Sequence, residues 1–146
     1  MNTDTQAISQ NPDPEEVKEI IKIMTKFFKK ETGSKEKADA MVAEVAELVK
    51  KPAAKLVHIG DCVFLLLVKD QGVVEFHTMS ADSDSVSLAK NIKKLVDFAK
   101  NMGVTRLYTY SDDPKYQAVA KRTRLPLDIT EQTGSDGKDY KVYTIE

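Results

Sequence analysis

Seven consecutive apolar residues, Cys62-Val63-Phe64-Leu65-Leu66-Leu67-Val68, are the longest unbroken apolar run in the 146-residue chain. Successive strand residues point to opposite faces, so a strand with no polar alternate needs cover on both sides. Such a segment belongs inside a sheet flanked by helices. It falls well short of the ~20 residues that a membrane span requires, and nothing near the start reads as a targeting pattern. The expected setting is therefore cytoplasmic, without a membrane partner. Lys+Arg (22) and Asp+Glu (23) nearly cancel, leaving a net charge of -1 and no overall field to recruit nucleic acid, so none is expected as a partner. Cys62 is the single cysteine, which excludes an internal disulfide and any cysteine-clustered metal site.

The flanking segments supply the helices. Residues 1–12 lack periodicity and read as a flexible N-terminal tail, with one domain expected over residues 13–146. Asp13-Pro14-Glu15-Glu16 is a helix start: a capping side chain, a proline suited to the first turn, and acids at the positive end of the dipole. Val17, Ile20, Ile21, Met24, Phe27 and Phe28 then follow the 3.6-residue period and predict a core stripe. Gly33 ends this helix and Ser34 caps a second, with Ala38, Met41, Val42, Val45, Leu48 and Val49 as its apolar set.

Beyond Pro52 the pattern turns to strands. Residues 57–59 and 62–68 flank Gly60-Asp61, a two-residue hairpin signal, and Asp70-Gln71-Gly72 leads into a third strand over residues 73–79. A polar stretch, residues 80–85, opens a helix with Leu88, Ile92, Leu95, Val96, Ala99 and Met102 on one face. Residues 106–111 form a strand, and Asp113-Pro114 starts a helix with Tyr116, Val119 and Ala120 inward. Residues 125–130 and 138–145 flank a glycine-bearing turn. The order α-α-β-β-β-α-β-α-β-β predicts an α/β (α+β) fold, a mixed and mostly antiparallel sheet with helices on both faces.

This order resembles the GNAT N-acetyltransferase family, from residue 13 to the C-terminus. Members carry Gln/Arg-x-x-Gly-x-Gly/Ala where a strand enters a helix, and Ser80-Ala81-Asp82-Ser83-Asp84-Ser85 stands in that register. The resemblance implies that acetyl-CoA, or CoA, is bound here, with backbone and hydroxyl groups of Thr78, Met79, Ser80, Ser83 and Ser85 receiving it. Serines replace the glycines, and Asp82 and Asp84 bring negative charge to the place of two phosphates. A second family stretch, Asn-x-x-Ala-x-x-Leu-Tyr-x-Lys-x-Gly-Phe, matches residues 113–125. Asp113 takes its first position and is counted with the cofactor-binding residues. Ala120 stands at the tyrosine that protonates the departing thiolate, and Arg124 at the glycine.

In an acyltransferase of this kind the sheet opens along the third strand, where Glu75 or His77 would serve as general base, His77 because imidazole titrates near neutrality. The same two residues also fit the polar face of an amphipathic strand. His58 and His77 are too few for a metal site, and no metal is expected. Tyr108 and Tyr110 share one strand face and would floor a cleft or pack under a helix. Cys62 reads as inert packing. The lysines and arginines of the last two helices fit either a solvated face or contacts to nucleotide phosphates.

Two functions follow from the resemblance. One is acetyl-CoA-dependent N-acylation of an unidentified amine. The other is a non-catalytic GNAT-like accessory or interaction protein, of the kind found in bacteria and phages, which engages a protein partner through a vestigial cleft.

Overall fold

The computed structural model describes Thr5–Ala7, residues 13–81 and residues 84–146. The elements run β1 (Thr5–Ala7), α1 (Pro14–Thr32), α2 (Lys35–Leu48), β2 (Ala54–Ile59), β3 (Cys62–Asp70), β4 (Val73–Ser80), α3 (Ser85–Asn101), β5 (Arg106–Ser111), α4 (Pro114–Thr123), β6 (Asp128–Thr133) and β7 (Asp139–Ile145). Hydrogen bonding orders the strands β1-β2-β3-β4-β5-β7-β6. Only β4 and β5 are parallel among the pairs with a defined register; β1–β2, β2–β3, β5–β7 and β6–β7 are antiparallel. The expected mixed, mostly antiparallel sheet is thus present.

The residues gather into two compact units: the chain up to Leu67 with the stretch from His77, and Val68–Phe76 with everything from Asp84 onward. In the first, α1 starts and stops as its residues dictate. Asp13 accepts a hydrogen bond from the Glu15 N–H at 2.9 Å, Pro14 takes the first turn, and Gly33 closes the helix at φ 73. Ile20, Ile23, Met24 and Phe28 of α1 join Ala38 and Val45 of α2, Leu56 of β2 and Val63 and Leu65 of β3 in one core. Two positions of the predicted stripes face water instead: Ile21 is 45% exposed and Met41 is exposed, while Ile23 is buried. Three buried rows already fill the α1 face, so the stripe is narrower than the hydrophobic positions available to it. The β2–β3 hairpin turns on Gly60-Asp61 as predicted, with Ile59 opposite Cys62. The apolar run is buried from Cys62 to Leu66 and surfaces at Val68.

Thr5–Ala7, expected within a tail, form a strand that pairs antiparallel with Val57, His58 and Ile59. Three residues without apolar alternation carry no strand signal of their own; the open hydrogen-bonding edge of β2 supplies it.

In the second unit, α3 buries Ala89, Asn91, Ile92, Leu95, Val96 and Ala99, while Met102, expected in this stripe, is exposed beyond the helix end. Each fully buried side chain such as Leu95 contributes about 1.5–3 kcal/mol of transfer free energy. Gly72 ties the β3–β4 turn to β5: its carbonyl accepts from the N–H groups of Thr105 and Arg106 at 2.8 and 3.0 Å. At φ +73, a Cβ there would stand 2.7 Å from Thr105 Oγ1. The terminal hairpin departs from prediction at its first strand, which starts at Asp128 instead of residue 125. Pro126 offers no N–H to a ladder, and the pairing begins only after it.

Candidate functional site

The parallel β4–β5 ladder has three rungs, Val73↔Arg106, Val74↔Leu107 and Glu75↔Tyr108, although β5 runs on to Ser111. Glu75, a carboxylate that is only 9% exposed, stands at the last rung. The Tyr108 hydroxyl donates a hydrogen bond to it, and burial, the Glu75 charge and that bond together raise the Tyr108 pKa. Two residues further along the same face, Tyr110 is raised by burial and then by the Glu75 charge. The Tyr110 ring meets Tyr140 edge-on at 5.7 Å. Tyr140 in turn donates to the Asp136 carboxylate, which pushes its pKa up to about 12 and lowers that of Asp136.

The opposite face of the same strands is core. Thr109 and Leu107 are buried there, and Thr109 joins Phe76, Tyr116, Ala120, Thr123 and Tyr143 around an apolar cavity of about 20 Å³. Of the two roles open to Tyr108 and Tyr110 in the sequence, packing under α4 therefore falls to Tyr143, whose ring lies 5.2 Å from that of Tyr116 on the helix. Ala120, at the register of the family's tyrosine, is buried in this cavity wall.

Both proposed general bases lie on β4, Glu75 buried and His77 half-buried. His58 is committed locally, its Nε2 2.8 Å from the Gly60 carbonyl and its Nδ1 3.9 Å from Glu16 Oε1. Cys62 is fully buried, with Sγ 3.7 Å from Asp61 Oδ1. Among the described residues no cluster of three metal-ligating side chains occurs.

Of the residues assigned to CoA, Met79 is core of the first unit and Ser80 is half-buried. Thr78 Oγ1 is a buried hydroxyl without a hydrogen-bond partner among the described residues. Ser83 lies outside the described residues. Ser85 is the first residue of α3, and its neighbour Asp84 is the cap, accepting from the Ser87 N–H at 2.8 Å. Hydrogen bonds from Ser87, then Val86, together with the charge of Arg122, hold the Asp84 carboxyl below its ordinary pKa. The Ser87 N–H in the first turn of α3 thus already serves an internal anion. Asp113 has the same structural duty on α4, accepting from the Lys115 N–H at 2.9 Å. The pattern Asp84-Ser-Val-Ser87 ahead of an apolar stripe is the sequence signal for this cap. The Glu75–Tyr108 pair had no such signal, because it depends on a parallel register that joins residues 33 apart in the chain.

No family model matches the chain, and no curated protein matches it in sequence. Solved structures match its fold. Aminoglycoside 6′-acetyltransferase type Ii superposes with TM-score 0.70 at 13% identity, over 97% of this chain and 95% of that one. The ribosomal-protein alpha-N-acetyltransferase RimL, in complex with coenzyme A, gives 0.63 at 14% identity over 99% and 94%. A probable acetyltransferase of the GNAT family from Chromobacterium violaceum gives 0.67 at 14% identity over 99% and 88%. The chain has the GNAT acetyltransferase fold. No helix among the described residues is long and apolar enough to cross a membrane.

Proposed function

We propose that this protein is an acyltransferase that moves an acetyl or related acyl group from a CoA thioester to an amine. The observation that carries this reading is the buried Glu75–Tyr108 pair at the last rung of a parallel ladder that ends while β5 continues. A carboxylate in such a place removes a proton from an incoming ammonium, giving the free amine that can attack an acyl carbon. Tyr108 holds that carboxylate in one orientation. Tyr110, on the same face, 42% exposed and with its pKa raised by partial burial and the Glu75 charge, is the hydroxyl available to return a proton to a leaving thiolate. That assigns to β5 the duty that Ala120 on α4 cannot perform.

The residues fit one end of the co-substrate. Bound acetyl-CoA would supply an activated thioester; within the first unit, Thr78 Oγ1, buried without a hydrogen-bond partner among the described residues, is a donor suited to an amide-bearing arm. Met79 and Ser80 continue the same strand. At the diphosphate end the fit is poor, since Asp84 puts a carboxylate at the start of α3 and holds the Ser87 N–H.

The test is acetyl-CoA turnover over a panel of primary amines, followed by release of CoA thiol. The fully buried Cys62 keeps the protein's own thiol out of the readout. Glu75→Gln, which preserves the shape and the Tyr108 contact, is expected to lower turnover at least 100-fold; unchanged turnover would leave His77 or water as the base.

A second reading is favoured by Asp84 and Ala120: a non-catalytic GNAT-fold protein that binds a protein partner. Absence of any rise in melting temperature with millimolar CoA would remove the first reading.

A further inference from the structure

The near-neutral net charge hides a strong separation. Residues 85–101 and 114–124, which hold α3 and α4, carry eight lysines and arginines against the single acid Asp97, a net of +7 that leaves -8 for the rest of the chain. Lys90, Lys93 and Lys100 stand at helical spacing along the exposed side of α3, with Lys121 and Arg122 exposed on α4 and Arg124 at its end. Among the described residues, no carboxylate forms an ion pair with any of these six. Elsewhere the chain does pair its surface cations, as in Lys18–Glu15, Lys50–Glu47 and Arg106–Glu146. The two helices pack against each other within the second unit, and the charge of Arg122 reaches Asp84 at the start of α3.

We propose that the exposed sides of α3 and α4 form a docking surface for the phosphate backbone of duplex nucleic acid, bound without regard to base sequence. The stripe from Lys90 to Lys100 is about 15 Å long at 1.5 Å per residue. A duplex presents about one negative charge per 1.7 Å, or about nine along the same length, a line of anions that can meet Lys90, Lys93 and Lys100, among which Asp97 is the one exposed acid. A membrane surface fits less well, because it needs apolar side chains interleaved with the cations. Here Val86 and Met102, the large apolar residues exposed on this stretch, stand at opposite ends of α3. A single strand fits less well too, because its bases stack on aromatic rings and the exposed positions of these helices hold none. This surface does not include Glu75 or Tyr108.

The test is fluorescence anisotropy of a labelled mixed-sequence duplex of about 20 base pairs with the full chain at about 50 mM salt. With three or four phosphates neutralised, binding is expected to weaken about 40- to 150-fold between about 50 and 200 mM salt. The triple variant Lys90→Glu/Lys93→Glu/Lys100→Glu and the double variant Lys121→Glu/Arg122→Glu should each lose at least tenfold in affinity. The control Lys18→Glu/Lys22→Glu/Lys29→Glu on α1 should bind as the parent does. Circular dichroism verifies that each variant is folded. No binding at the lower salt, an equal loss in the α1 control, or preference for anionic vesicles, single strands or self-association over the duplex would overturn the proposal.

Discussion

Arg124 offers a test of backbone strain that also bears on the family register. It ends α4 in the left-handed conformation, at φ 56 and ψ 22, and is the one non-glycine residue with positive φ among those described. An L-residue with a Cβ pays roughly 1–2 kcal/mol in that region. Its side chain is exposed, so little packing is lost on removing it. Glycine relieves the strain but gives back part of the gain through the larger entropy of the unfolded chain. The net expectation for Arg124→Gly is stabilisation by about 1 kcal/mol, which for a domain of this size raises Tm by about 2–4 °C. Thermal unfolding by circular dichroism measures this directly, with Arg124→Ala as the companion. Alanine keeps the Cβ and the strain, and its Tm should stay with the parent. A glycine variant no more stable than the alanine variant would refute the reasoning, and with it the assignment of residue 124 to the position where the family carries glycine.

Three further perturbations address the candidate site and its surroundings. Asp84→Asn keeps a good N-cap while removing the charge; the CoA-induced rise in Tm should exceed the parent's at equal CoA, and an unchanged shift would show that the carboxylate does not oppose the diphosphate. Thr78→Val removes a buried hydroxyl that has no partner and should stabilise the unliganded protein by about 1 kcal/mol while weakening donor binding; loss of stability in denaturant titration would mean that the hydroxyl is satisfied. For Tyr140, the folded pKa of about 12 lies above the ordinary 10.0. The stabilisation from its bond to Asp136 is therefore complete below pH 10 and fades as pH rises toward about 12. The depressed Asp136 carboxyl gives the mirror image, with stability lost as pH falls through its folded value. Tyr140→Phe should flatten both limbs and remove the latest-titrating tyrosinate from the absorbance curve; retention of that step would exclude the bond.

The parts of the fold that were legible in the sequence are those set by local chemistry. Asp13, Pro14 and Gly33 bound α1, Gly60-Asp61 turns the first hairpin, and the run from Cys62 marks the interior strand, each through residues close together in the chain. What was not legible depended on distant partners. β1 exists because β2 offers an edge, and Ile21 and Met41 are exposed although the helical period placed them in the core stripes. At the site, the sequence pointed to Glu75 or His77, with His77 preferred, and to a shared face for Tyr108 and Tyr110; the register sets Glu75 opposite Tyr108. It also pointed to negative charge at the α3 junction, but not to its work as a cap, so the same aspartate changes from a flaw in an anion site to the anion itself.

The knot of hydrogen bonds at Gly72 makes one turn of the second unit intolerant of change, since even a methyl group would strike Thr105. At the far side of that unit, Gly137 has open space around it, in a loop whose neighbouring residues are exposed. A reporter peptide or fluorophore graft is thus best carried by the terminal hairpin. The same insert between Gln71 and Val73 would unpick β5 from its anchor.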